Sequence, residues 1–126
     1  GHSGSVNSMV VIDQTRTLVS ASEDSTIRLW SLDEITQVKV FEGHGGSVNC
    51  LRIDKTGNKL ISGSNDKTVR VWDVEESRDP IILRGHLDSV TAVALVASSN
   101  TAVSGCKDSK IIIWDLAHQS PTSTLN

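Results

Sequence analysis

Gly-His pairs recur every 42 residues along this chain, at Gly1-His2, Gly43-His44 and Gly85-His86, and no other property limits its architecture as severely. Tryptophan keeps the same step and occurs only at Trp30, Trp72 and Trp114. The 126 residues therefore divide into three units, 1–42, 43–84 and 85–126, with no insertion or deletion between them. A period of this length marks a small supersecondary unit that cannot bury its own apolar face and must stack on neighbours.

Each unit reads as four short strands. In the second, "SVNCLRI" is rich in β-branched and apolar residues, and "DKTGN" follows as a turn in which Gly57 supplies a positive φ. "KLISGS" is the next strand, closed by the tight turn "NDK". "TVRVWDV" alternates at period two, which sends Val69 and Val71 to one side and Arg70 and Trp72 to the other. "EESRDP" is a loop, with Pro80 at a strand start or edge, and "IILRGH" is the fourth strand. Units one and three repeat the pattern with "STIRLWSL" and "SKIIIWDL". No helical period is sustained, so the expected class is all-β, built of meandering antiparallel sheets.

The remaining features of the sequence narrow the function. A net charge of −3 gives no electrostatic drive toward nucleic acid or an anionic membrane. No apolar run approaches the ~20 residues that cross a bilayer as a helix, and a signal peptide is not expected. The chain begins at Gly rather than Met, so a chain cut by design, a processed chain or a fragment is expected. Cys50 and Cys106 are too few for a disulfide framework and read as buried thiols of a reducing compartment, cytoplasmic or nuclear. Without CxxC or HxxxH spacing, neither a metal site nor any cofactor is expected.

Ser, His and Asp invite comparison with a hydrolase triad. They too obey the period: His2, Ser20, Asp24 and Trp30; His44, Ser62, Asp66 and Trp72; His86, Ser104, Asp108 and Trp114. A catalytic site has no reason to recur in every unit, whereas a folding problem does. Counting strand reversals brings each Gly-His corner to the same end as the turn between the second and third strands. There the imidazole can donate to the carboxylate and face the hydroxyl, which accepts from the indole N–H. The expected role is structural, with no catalytic residue.

Gly-His at the start, Ser-x-x-x-Asp before a strand, Thr at Thr26 and Thr68, and Trp-Asp at Trp72-Asp73 and Trp114-Asp115 resemble WD40 repeats over the whole chain. The resemblance implies a β-propeller with one four-stranded blade per repeat. It also implies that the three quartets are the family's structural tetrads. Departures are Ser31 for the Asp of the Trp-Asp pair, Lys110 for the Thr of unit three, and Ser25, Lys67 and Ser109 where a turn Gly often stands. By the same resemblance, partners dock at the Gly-His end, on Ser5, Asn7 and Glu23, Ser47, Asn49 and Asn65, and Ser89, Thr91 and Lys107. All nine are polar and none is aromatic, so they form either a solvated rim or a polar docking face. Arg52, Lys55, Lys59, Lys67, Arg70, Arg78 and Arg84 concentrate basic charge in unit two, nearly balanced by its acids. Without aromatics to stack bases or cage a cation, nucleic acid and methyl-lysine are not expected ligands.

The function implied is a non-catalytic scaffold for protein or peptide partners. Propellers close with four to eight blades. Three blades would leave two faces bare, so the ring is expected to be completed by a second copy, giving six blades, or by further repeats of a longer chain. A trimer would give nine. The alternatives are a structural or engineered self-assembling ring and, more remotely, a Ser/His hydrolase.

Overall fold

The structure is a computed structural model that describes residues 1–96 and 99–126. It contains twelve strands in three four-stranded antiparallel meanders. The first sheet comprises β1 (Val6–Ile12), β2 (Thr17–Ser22), β3 (Ile27–Ser31) and β4 (Thr36–Phe41). The second comprises β5 (Val48–Ile53), β6 (Lys59–Ser64), β7 (Thr68–Asp73) and β8 (Ile81–Arg84). The third comprises β9 (Val90–Val96), β10 (Thr101–Cys106), β11 (Ile111–Asp115) and β12 (Ser120–Leu125). Strand order in each sheet is sequence order, so every connection is a hairpin between neighbours. Among the described residues one 3₁₀ turn, Asp13–Thr15, joins β1 to β2, and the hydrophobic pattern does not announce it.

Alternation along the third strand decides which face meets which neighbour. Val69 and Val71 of β7 join Cys50, Ile61 and Leu83 in a core shared with Val90, Val93, Ala102, Ile112 and Trp114 of the third sheet. Trp72 points the other way and joins Val48, Leu51 and Leu60 in a core shared with Val19, Ala21, Ile27 and Leu29 of the first. The middle sheet is thus covered on both faces. The first and third are each covered on one face only.

The hairpins between second and third strands are tight turns. In each, an amide closes back on the carbonyl three residues earlier: Ser25 to Ser22, Lys67 to Ser64 and Ser109 to Cys106, at 3.1–3.2 Å. The closing residues take φ values of 73°, 72° and 69°. A type I turn followed by a left-handed residue produces this geometry, and none of the three is glycine. Gly63 serves a different purpose. A Cβ there would lie 2.5 Å from Val90 Cγ1 and 2.8 Å from Cys50 Sγ, so its missing side chain lets the second and third sheets approach.

Candidate functional site

Three polar networks occupy one end of the sheets, each between a Gly-His corner and a tight turn. In the second unit Trp72 Nε1 donates to Ser62 Oγ at 2.8 Å, Ser62 Oγ lies 2.7 Å from His44 Nε2, and His44 Nδ1 lies 2.9 Å from Asp66 Oδ2. The carboxylate can only accept, so Nδ1 carries the proton and Ser62 donates to Nε2. Asp66 also accepts the Thr68 hydroxyl at 2.6 Å, the Thr68 amide at 2.9 Å and the Gly45 amide at 2.9 Å. The first unit repeats this with Trp30 to Ser20 at 2.9 Å, Ser20 to His2 at 2.7 Å and His2 to Asp24 at 2.8 Å. Thr26 and the Ser3 amide complete the carboxylate's shell.

The third unit departs from this arrangement. Trp114 donates to Ser104 at 2.7 Å and Ser104 lies 2.6 Å from His86 Nε2. The network stops there: His86 Nδ1 and Asp108 Oδ2 are buried and have no hydrogen-bond partner. The quartet expected at His86, Ser104, Asp108 and Trp114 is therefore three joined residues and a detached carboxylate. The cause is local. Lys110 stands where Thr26 and Thr68 supply a hydroxyl, so the one well-formed bond to Asp108 is from the Lys110 amide to Oδ1, at 3.0 Å, while the Cys106 thiol and the Leu87 amide approach the carboxylate less closely and help hold it below its usual range. Cys106 stands where Ser22 and Ser64 each accept the amide of the turn aspartate at 3.1 Å. That series of Ser22, Ser64 and Cys106 was not read from the sequence, although the 42-residue step displays it.

Electrostatics follow the hydrogen bonds. Burial alone would raise the carboxyls of Asp24 and Asp66, but donors from Thr26 and His2, and from Thr68 and His44, outweigh it and hold both well below the usual carboxylate range. Burial depresses His44, only partly offset by Asp66, so the imidazole is neutral near pH 7. Burial depresses His86 as well, with Asp108 opposing. The Cys50 thiol is pushed up to about 11, chiefly by burial, which leaves it protonated and inert. Cys50 and Cys106 are free and buried.

Proton positions in the second unit match those of a Ser-His-Asp triad, hydroxyl to imidazole to carboxylate. Access separates the two cases. Ser62 is 0% exposed and Ser104 1% exposed, and each hydroxyl also accepts an indole N–H. A carbonyl carbon has no route to either oxygen.

The nine candidate docking residues lie along the same end. Glu23, Asn65 and Lys107 donate their amides to the carbonyls of Ser5, Ser47 and Ser89 at 2.9–3.0 Å, which draws each pair together. Asn7 and Asn49 have a further task. Asn7 Nδ2 reaches across to Val48 O at 3.1 Å and Ser47 Oγ at 3.0 Å, and Asn49 Nδ2 reaches Val90 O at 3.0 Å and Asn65 Oδ1 at 2.7 Å. These two side chains tie neighbouring sheets together. Thr91, the next in the series, turns back to Gly105 O of its own sheet at 3.4 Å.

The comparisons agree with this architecture. The family model for the WD domain, G-beta repeat, matches residues 1–31, 35–73 and 79–115. The chain is similar to the probable E3 ubiquitin ligase complex SCF subunit sconB of Aspergillus clavatus, 49% identical over 43 residues, which is 34% of this chain and 6% of that protein. It is equally similar to the probable SCF subunit scon-2 of Neurospora crassa, where the match is 7% of the protein. Among solved structures it superposes on U3-55K and on the RRP9 WD40 repeats, each with a TM-score of 0.91, 27% identity and 99% of this chain. It spans 40% and 39% of those two chains, and far less of the curated relatives. Three matched repeats, three meandering sheets and this superposition show that the chain belongs to the WD40 repeat family, with the blade architecture of its β-propellers.

Proposed function

We propose that the chain is a non-catalytic segment of a WD40 propeller that holds protein or peptide partners at its Gly-His end. Burial of the serine hydroxyls beneath an indole carries this reading, because it turns the triad-like groups of the described residues into internal bracing. The sconB and scon-2 relatives are subunits of a ubiquitin ligase complex, and that role supports a scaffold. The polar residues Glu23, Asn65 and Lys107 are exposed and, among the described residues, make no side-chain bond to another sheet; Asn65 accepts only from Asn49 of its own sheet. They are the positions left to read a partner. A peptide-display selection on the chain tests this. Glu23→Arg and Lys107→Glu should weaken selected peptides at least tenfold while the melting temperature stays unchanged. Equal binding by both variants would move the docking face elsewhere. Ser62→Ala should lower the melting temperature and leave any background ester hydrolysis unaltered, whereas loss of turnover at unchanged stability would restore the hydrolase.

The bare faces support a second element of the reading, completion of the ring by further blades. On the first sheet Met9 is 62% and Val11 49% exposed; on the third, Ala92, Ala94, Val103 and Ile111 line an open apolar groove. Soluble proteins rarely expose such faces in pairs. A second copy gives six blades, and additional repeats of a longer chain serve equally. Light scattering distinguishes them: a 27 kDa particle, about twice the chain's 13.5 kDa, supports self-completion. A stable 13.5 kDa monomer with native sheet content would remove it.

A further inference from the structure

The defect in the third unit leaves three ligand-type atoms facing one another. An imidazole nitrogen of His86, Cys106 Sγ and a carboxylate oxygen of Asp108 all lie within 4.8 Å of each other. His86 is 6% and Cys106 9% exposed, and Asp108 is half-buried. His86 Nδ1 and Asp108 Oδ2 are the two buried atoms that the unit's own hydrogen bonds fail to satisfy. In the first and second units the matching nitrogen and oxygen are bonded to each other, and serine occupies the cysteine's place. The third unit thus exchanges two residues, Ser for Cys and Thr for Lys, and both changes free or supply a donor atom at a single point.

We propose that His86, Cys106 and Asp108 form a zinc site, with a water as the fourth ligand. Thiolate, imidazole and carboxylate together suit Zn²⁺ and exclude the oxygen-preferring Mg²⁺ and Ca²⁺. Bonds of about 2.0–2.3 Å place tetrahedral ligand atoms roughly 3.3–3.7 Å apart, so closure asks for a movement on the order of 1 Å or less. The supporting groups are already in place. Ser104 Oγ lies 2.6 Å from His86 Nε2 and can accept its proton, which leaves the Nδ1 lone pair for the metal. The Lys110 amide holds Asp108 Oδ1 and leaves Oδ2 free. Neither Lys107 nor Lys110 forms an ion pair with Asp108 among the described residues. Binding releases the Cys106 thiol proton to solvent, so affinity rises with pH. Metal-site sequence spacing is absent because the fold, not a short motif, brings residue 86 to residues 106 and 108.

Cobalt titration of the intact chain tests the site, since Co²⁺ replaces Zn²⁺ and reports a thiolate ligand through a sulfur-to-metal charge-transfer band. One equivalent should produce the band in the wild-type chain and in Cys50→Ser. Cys106→Ser, which restores the serine of the other units and is expected to fold, should abolish it. Asp108→Asn should weaken binding at least tenfold. Zn²⁺ at a hundredfold excess over its Kd should raise the folded-to-unfolded ratio about a hundredfold in the wild type, with no effect in Cys106→Ser. The exposed His118–Asp115 pair has no sulfur and cannot give the band. No band, a band that survives Cys106→Ser, or equal zinc stabilisation of both chains would overturn the proposal.

Discussion

Replacing the turn aspartate by alanine should cost far more in the second unit than in the third. Asp66 accepts four hydrogen bonds, from His44 Nδ1, the Gly45 amide, and the Thr68 amide and hydroxyl. Truncation strands those donors unequally. Gly45 is exposed, so water replaces the carboxylate there, and the Thr68 hydroxyl can rotate. The His44 N–H and the Thr68 amide belong to residues 6% and 4% exposed and stay unpaired. An unpaired buried donor costs about 1–3 kcal/mol, so Asp66→Ala should destabilise by about 3–5 kcal/mol once the lost charge-assisted bonds are included. Asp108 accepts one well-formed bond, from the amide of half-buried Lys110, and its other oxygen is already unsatisfied. Asp108→Ala should cost only a small fraction of the Asp66 loss, because no buried histidine N–H or threonine hydroxyl is stranded. Urea unfolding with a chelator present, followed by tryptophan fluorescence and circular dichroism at equal slope, reads the difference as a shift of midpoint. Losses equal within about 0.5 kcal/mol, or a larger loss at Asp108, would refute the assignment of the third network as incomplete.

Three other outcomes are expected. Lys67→Gly, at a φ of 72°, should stabilise the chain by about 0.5–1 kcal/mol in thermal melts, because glycine removes the left-handed penalty at an exposed turn. Gly63→Ala should destabilise by about 1–3 kcal/mol through its clash with Val90 and Cys50, while Gly105→Ala, whose nearest neighbour is Ala92 Cβ at 3.8 Å, should be close to neutral. Stability should fall as pH drops below the ordinary histidine value of 6.5, because His44 and His86 bind the proton only when unfolded; each contributes a slope of at most about 1.4 kcal/mol per pH unit until its depressed folded value is passed. A second loss should begin near 3.8, where unfolded Asp24 and Asp66 protonate ahead of their folded forms, and urea midpoints across pH 3–8 would show both steps or contradict them.

What the sequence shows well is whatever every unit must repeat. β-branched strands, the turn at Gly57, and the His-Ser-Asp-Trp series recur because each sheet solves one folding problem within itself. Distances were needed where a unit deviates. Lys110 is visible in the sequence as a missing threonine, but its effect, a carboxylate detached from His86, depends on where the turn then sits. The 3₁₀ turn at Asp13–Thr15 has no apolar periodicity to announce it. Asn7 and Asn49 were read as rim residues because only the position of the next sheet reveals that their amides cross to it.

The same period explains what the two bare faces fit. Trp72 is 4% exposed because the first sheet's Val19, Ile27 and Leu29 cover it, and Trp114 is 0% exposed because the second sheet's Ile61, Val69 and Val71 do. Trp30 has no preceding sheet and is only partly buried. At the other end, Val103, Ile111 and Ile113 stand 42 residues beyond Ile61, Val69 and Val71, and no tryptophan covers them among the described residues. The two open faces are therefore the two halves of a joint that the chain already makes twice. A blade beside the first sheet must offer aliphatic residues to Trp30, and one beside the third must offer an indole to Ile113. A second copy placed head to tail satisfies the two demands, and so does any further repeat of this family. For the second copy proposed above, a face-to-face dimer would set indole against indole and leave the aliphatic surface open, so the proposed closure runs head to tail.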